Sequence, residues 1–270
     1  MKGEILKAAW TPGLPHVLNG EKSLSWKKLA EGYTKLGQRI SELKPDVLVI
    51  YSTQWLSVLG TSFQTQPNPK GVHVDENWYE LGDLPYDFKS DAELSTQFAL
   101  DFKEKGFPTK TVNFEEFPID TGTIVANRFL NPNGKIPVSI VSSWVYADAK
   151  ISKLLGETMA MTIEKSGKKA VIIANSLLSA RFNPDEISPG EDQISNEDDE
   201  ANRKVLKSFE NGNWKMTANL VSDFSKTSPM DMQFNALHWL SGILGERSTR
   251  AEILTYGPQW GTGAAVIDIH

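Results

Sequence analysis

The sequence predicts an α/β protein, a single domain over residues 1–270 with a mixed, largely parallel central sheet flanked by helices. Three observations predict it. The stretch PDVLVIYSTQWLSVLG (45–60) begins as a near-continuous apolar run with β-branched residues, the pattern of a short strand covered on both faces. Strand-like and helix-like segments alternate on either side of it as far as Asn175, as in folds that stack helices on a parallel sheet. The chain of 270 residues, 40% hydrophobic, can bury one sizeable core, and no internal repeat or linker divides it.

The first strand is EILKAAW (4–10), after which Pro12, Gly13, Leu14 and Pro15 must turn the chain. From about Ser25 a helix follows. Trp26, Leu29, Tyr33, Leu36, Ile40 and Leu43 recur every three or four residues, which places them on one face, and Pro45 stops the helix. Strand, loop, helix and strand make a crossover unit, which implies parallel neighbours in one sheet. Ser52, Thr53 and Gln54 follow the apolar part of the central strand. Because open α/β sheets bind ligands outside the carboxyl ends of their strands, Gln54 is expected to face any pocket, although it is no acid or base.

Residues 60–90 show no period, and short strands are expected near Phe63 and Val72. Asp91 suits the N-cap of a helix running through Lys105 and ended by Gly106. A short strand at 109–113, a helix from about Asp120, a strand at 138–141, a helix through Ile151, Leu155 and Met159, and a strand at 169–174 continue the alternation. Helices at about 199–211, 213–221 and 229–244 follow. Terminal strands at 250–256 and 264–269 flank GPQWGTG, which lacks the Lys-Ser/Thr of a phosphate loop and reads as a turn.

Composition removes several function classes. With no cysteine there are no disulfides, thiolate nucleophiles or cysteine-held metals. A net charge of −6 without a basic cluster argues against a nucleic-acid surface. No apolar run approaches a membrane span, and MKGEILKAAW lacks the apolar core of a signal peptide, so a cytoplasmic protein is expected. Eight tryptophans are many for this length, and a surplus of large aromatics is what a stable interface uses.

Candidate chemistry is sparse. The four histidines are scattered, and of them only His16 is expected near the active edge, where closing a turn is at least as good a role as catalysis. His238 lies in a helix between Leu237 and Trp239, as a core or interface histidine would. A metal site relocated to His16, His238 and Glu252 needs a convergence that the spacing does not suggest. Ser176 and Ser179 invite a serine hydrolase, yet no G-x-S-x-G elbow surrounds them. Glu252, in a strand, faces either solvent or a site. Residues 183–200 carry eight carboxylates and read as a solvated loop entering a helix with an acidic first turn. A Ca²⁺ loop is the alternative, but the spacing lacks the glycine and terminal Glu of an EF-hand.

The order TPGLPHVLNGE, KPDVLVIYSTQW, IDTGTIVANRFLNPNGKIPVSIVS, AVIIANSLLSARF and AEILTYG, covering nearly the whole chain, resembles the class III extradiol ring-cleavage dioxygenase superfamily. The resemblance implies the catalytic-subunit fold of that superfamily. Within it the pattern is most similar to the heteromeric dioxygenases of the 2-aminophenol 1,6 type, whose two subunits resemble each other and of which the β subunit is expected to hold Fe(II). Active members bind Fe(II) through two histidines and a glutamate, which leaves cis positions open for substrate and O₂. The resemblance puts the first histidine at Gly13, three residues before His16, the second at Gln54 and the carboxylate at Glu252. It puts the acid/base histidine at Ala180, after Ser179, and a His or Tyr at Thr121. It thus implies a vestigial pocket of Gly13, His16, Gln54, Thr121, Ala180 and Glu252. It further implies no catalytic residue, metal or cofactor in this chain, with Fe(II) in a homologous catalytic β subunit of a heterotetramer of two α-type and two β-type subunits. An independent metal-dependent enzyme, or a module binding a small aromatic on the same fold, is the alternative.

Overall fold

A computed structural model describes residues 2–212, 214–247 and 249–270, with the backbone alone for 214–219 and 222. In chain order the main elements are β1 (Glu4–Thr11), α1 (Leu24–Leu43), β2 (Val47–Ser57), β3 (Thr61–Gln64), β4 (Lys70–His73), β5 (Leu84–Asp87), α2 (Ala92–Glu104), β6 (Thr109–Val112) and α3 (Thr121–Leu130). Then come β7 (Val138–Trp144), α4 (Ala149–Ser166), β8 (Lys169–Asn175), α5 (Asn196–Glu210), α6 (Trp214–Thr227), α7 (Asn235–Leu244), β9 (Ala251–Gln259) and β10 (Thr262–Ile269).

Eight strands form one sheet in the order β6-β3-β7-β2-β8-β1-β10-β9, and β4 and β5 pair apart from it. The middle four, β7, β2, β8 and β1, are parallel, whereas β10, β9 and the β3/β7 contact are antiparallel. The sheet is therefore mixed and largely parallel at its centre, as the apolar runs require. Val47–Tyr51 and Ala170–Ala174 are buried throughout, because helices cover both faces. On one face Leu29, Tyr33, Leu36 and Ile40 of α1 and Val125 of α3 pack on Ile50 and Ile173. On the other, Phe98, Met159 and Trp239 pack on Val49 and Ile172. Each such side chain contributes roughly 1.5–3 kcal/mol by leaving water.

Three expectations change in three dimensions. β1 and β2 are parallel but not neighbours, since β8 lies between them and pairs with both. β8 is buried from Ala170 onward while β1 is half-exposed over its first half, so the more apolar strand takes the inner place. β2 continues to Ser57, and its register against β7 jumps between Ser52 and Leu56, so Gln54 sits on a bulge within the strand and not beyond its end. The helix expected at 229–244 is broken. Met232, Gln233 and Phe234 have φ of 43°, 54° and 57°, and α7 starts only at Asn235. Asp231 holds this strained turn down, its buried carboxylate accepting from Thr53 Oγ1 (2.6 Å), Ser176 Oγ (2.8 Å) and Leu177 N (2.9 Å).

Side-chain caps at Asp91, Asp120, Asp148 and Ser195 begin α2, α3, α4 and α5. GPQWGTG is the expected turn: Trp260 (φ 55°) and Gly261 (φ 83°) join Gln259 to Thr262 as a two-residue hairpin. Of the acidic stretch, Asp192 and Asp198 turn inward. Asp192 accepts from Trp26 Nε1, Trp260 N and Gly261 N, and Asp198 pairs with Arg181, so this segment is in part a clamp on the hairpin and not only a solvated loop.

Candidate functional site

The carboxyl ends of β1, β2 and β8 meet where the sequence pointed. β1 ends at Thr11 beside Asn175 of β8, and Ser52 of β2 is paired with Asn175 from the other side. The N-terminus of α3 closes over this edge, because Asp120, its N-cap, accepts from both Thr123 N and Ser52 Oγ. Gly13, Gln54 and Gly122 therefore converge. A Cβ built on Gly13 would lie 3.0 Å from Gln54 Cγ, 3.3 Å from Gly122 Cα and 2.5 Å from Asn175 Oδ1. Asn175, which no motif in the sequence singles out, stands at the centre of the locus. Its Nδ2 donates to Thr11 Oγ1 and Pro12 O, and Tyr33 OH also donates to Pro12 O.

Next to this locus Thr121 Oγ1 donates to the carboxylate of buried Asp75, which also accepts from Asn77 N and Trp78 N. His16 is fully buried among three tryptophans, with ring centroids 4.7 Å from Trp26, 4.9 Å from Trp78 and 5.4 Å from Trp260. Burial pushes its imidazole down to about 3, against the pull of Asp75, so it is neutral near pH 7. Those three rings line a cleft of about 830 Å³ whose walls do not include Gly13, Gln54 or Glu252. Ala180 lies beside Pro229, its N–H donating to the Pro229 carbonyl, and so closes a backbone contact.

Glu252 is not part of the locus. It pairs across the hairpin with Asp268, whose own partner on β1 is Ala9, two residues before that strand ends at Thr11. Its carboxylate faces α1, 2.6 Å from Arg39 Nη1 and 3.1 Å from Lys35 Nζ, and these cations hold it down to about 2. The expectation fails because a strand pattern shows which residues alternate and not how far along the strand the site lies. The β9 residue that does reach the turn is Gln259, at the hairpin end, with Nε2 donating to Leu14 O at 3.1 Å. It is fully buried and its Oε1 has no protein partner.

The other candidates separate as well. His238 is buried on α7, its imidazole pushed down by desolvation, and among the described residues no three His, Cys, Asp or Glu side chains are placed to hold a metal ion. A centre of His16, His238 and Glu252 is therefore not assembled, nor a Ca²⁺ loop. Ser176 Oγ donates to Asp231, and Ser179 Oγ accepts from Asn202 Nδ2 and Gly263 N, so neither serine is set against a histidine. A glycine and two carboxamides supply neither the imidazoles nor the anion that a ferrous site needs, and the residues present do not fit Fe(II).

Comparison with known proteins agrees with the fold. Residues 7–267 match the family described as the catalytic LigB subunit of aromatic ring-opening dioxygenase. The chain is 34% identical over 268 residues to a 2-aminophenol 1,6-dioxygenase alpha subunit of Pseudomonas sp, covering 98% of both chains. It is 27% identical to the corresponding beta subunit from Pseudomonas sp, covering 98% of this chain and 94% of the relative. An uncharacterized protein of Escherichia coli K12 superposes with a TM-score of 0.70 over 98% of this chain and 99% of that one, at 13% identity, a likeness of fold. With the match reaching every strand of the sheet and the edge that carries Gly13, Gln54 and Asn175, the chain belongs to the LigB family of aromatic ring-opening dioxygenases.

Proposed function

We propose that this chain is the non-catalytic α-type subunit of a heteromeric 2-aminophenol 1,6-dioxygenase, in which a homologous β-type partner holds Fe(II) and opens the ring with O₂. The observation that carries the reading is a pairing of two facts. The chain is 34% identical to an alpha subunit over almost its full length, while Gly13 and Gln54 stand where the family resemblance expects the two histidine ligands. The 27% identity to a beta subunit over a similar span supports two subunits of one fold.

A subunit without chemistry of its own acts through its surface. Trp10, Trp26 and Trp239 do not supply that surface, being fully buried, and Trp78 and Trp260 wall His16. Exposed apolar area lies instead at Leu56, Val58 and Leu59, with Tyr146 alongside through the hydrogen bond from Val145 N to Ser57 O. Such a cluster on a monomer marks an interaction surface. The proposal includes a heterotetramer of two α-type and two β-type subunits, with obligate interfaces of more than about 2,000 Å². No described helix is long and apolar enough to cross a membrane; a cytoplasmic complex is part of the proposal.

The test is co-expression with a β-type partner, followed by mass from light scattering and ring-cleavage rate with and without this chain. A stable heteromer, and a partner unstable or weakly active alone, is the expected result. A monomeric chain together with a partner fully active in its absence overturns the reading.

A further inference from the structure

We infer that Asn175 plugs the vacated locus, so that this chain excludes a metal by occupancy as well as by loss of ligands. The inference rests on the reading of Gly13 and Gln54 as former ligand positions. A Cβ on Gly13 would meet Asn175 Oδ1 at 2.5 Å, and one on Gly122 would meet the same oxygen at 2.3 Å, both closer than Cβ atoms approach a neighbour. Asn175 Oδ1 thus fills the space between the two glycines, and no side chain fits at either position while it stays. It is not free to leave. The side chain is fully buried, and Nδ2 is tied to Thr11 Oγ1 (3.2 Å) and Pro12 O (3.2 Å), with Tyr33 OH at 3.4 Å.

Those bonds join the end of β8 to the turn after β1, while Ser52 Oγ to Asp120 joins β2 to α3. A metal held at positions 13 and 54 would tie the turn after β1 to β2. Here that turn is tied instead to β8 by a carboxamide, and Asn175 Oδ1 and Gln259 Oε1 are both left without protein partners. Gly13 and Gly122 are on this account required by Asn175 and are not merely tolerant positions.

Two experiments on the full chain test the plug. In the first, Gly122→Ala lowers Tm, although Ala is the better helix residue, and adding Asn175→Ala recovers part of the loss. Additive losses overturn the plug. In the second, Co(II) binding is measured by dialysis and visible absorption for Gly13→His/Gln54→His/Gln259→Glu with Asn175 kept, and for the same chain with Asn175→Ala, or Asn175→Ser if the alanine variant does not fold. Affinity at least about tenfold tighter without Asn175 is expected, the scale on which a supporting contact alters a metal site. Equal affinity with and without Asn175 overturns the plug. Coupling in the first experiment with no Co(II) bound by either folded chain in the second leaves the plug standing and removes the reading of the ligand positions.

Discussion

Glu252 Oε2 lies 2.6 Å from Arg39 Nη1, so the carboxylate that the resemblance assigned to a metal is a strut between β9 and α1. Arg39 Nη1 also reaches Asp268 Oδ2 at 2.6 Å, and Asp268, only 1% exposed at its side chain, accepts from Lys7 as well. The two acids differ in burial and so in consequence. Glu252→Gln is expected to lower stability by less than about 1 kcal/mol, since its ion pairs are solvent-screened, and to leave metal content unchanged. Arg39→Met, which removes a partner from a buried carboxylate, is expected to cost more, about 1–3 kcal/mol. Urea unfolding of the two variants checks the order, and a larger loss in Glu252→Gln reverses it.

The His16 imidazole predicts acid sensitivity. Its folded value of about 3 lies below the ordinary 6.5, so between those limits the unfolded chain takes up a proton that the native chain refuses. Stability from this group is intact above pH 6.5 and falls as pH drops toward 3, with a limiting slope of about 1.4 kcal/mol per pH unit. His16→Phe keeps an aromatic ring among Trp26, Trp78 and Trp260 and removes the titration. Urea midpoints from pH 7 to 4 should fall more steeply in the natural chain than in His16→Phe, and parallel curves would refute the assignment.

Asp231 makes the opposite kind of contribution. Desolvation pushes its carboxyl up, while Thr53, Ser176 and Leu177 N all donate to it and favour the charged form. Asp231→Ala strands three buried donors and releases the left-handed turn at Met232–Phe234, with an expected loss of about 3 kcal/mol or more. Thermal melts measure it, and a loss below about 1 kcal/mol would show that the turn holds itself.

Chain purified without oxygen should carry no stoichiometric iron by elemental analysis, and Gly13→His/Gln54→His should remain without it. In that variant Glu252 still faces Arg39 and Asn175 still occupies the space between the glycines. One iron per natural chain would contradict the account of the site.

The sequence by itself determined the alternation of strands and helices, the cap at Asp91, the turn at Trp260–Gly261 and the place of Gln54 at the carboxyl edge of the sheet. These depend on local periodicity, turn chemistry and the rule that parallel strands open at their carboxyl ends, all of which act within a few residues. Tertiary structure decided the rest. It put β8 between β1 and β2, broke the last helix at Met232–Phe234 where Asp231 is drawn inward, and swung Glu252 onto α1 while bringing Gln259 to Leu14. It also set Asn175 between two glycines 109 positions apart in the chain. Each of those outcomes turns on contacts between residues far apart in sequence, where burial and hydrogen bonding across the sheet choose among arrangements that the local pattern leaves equal.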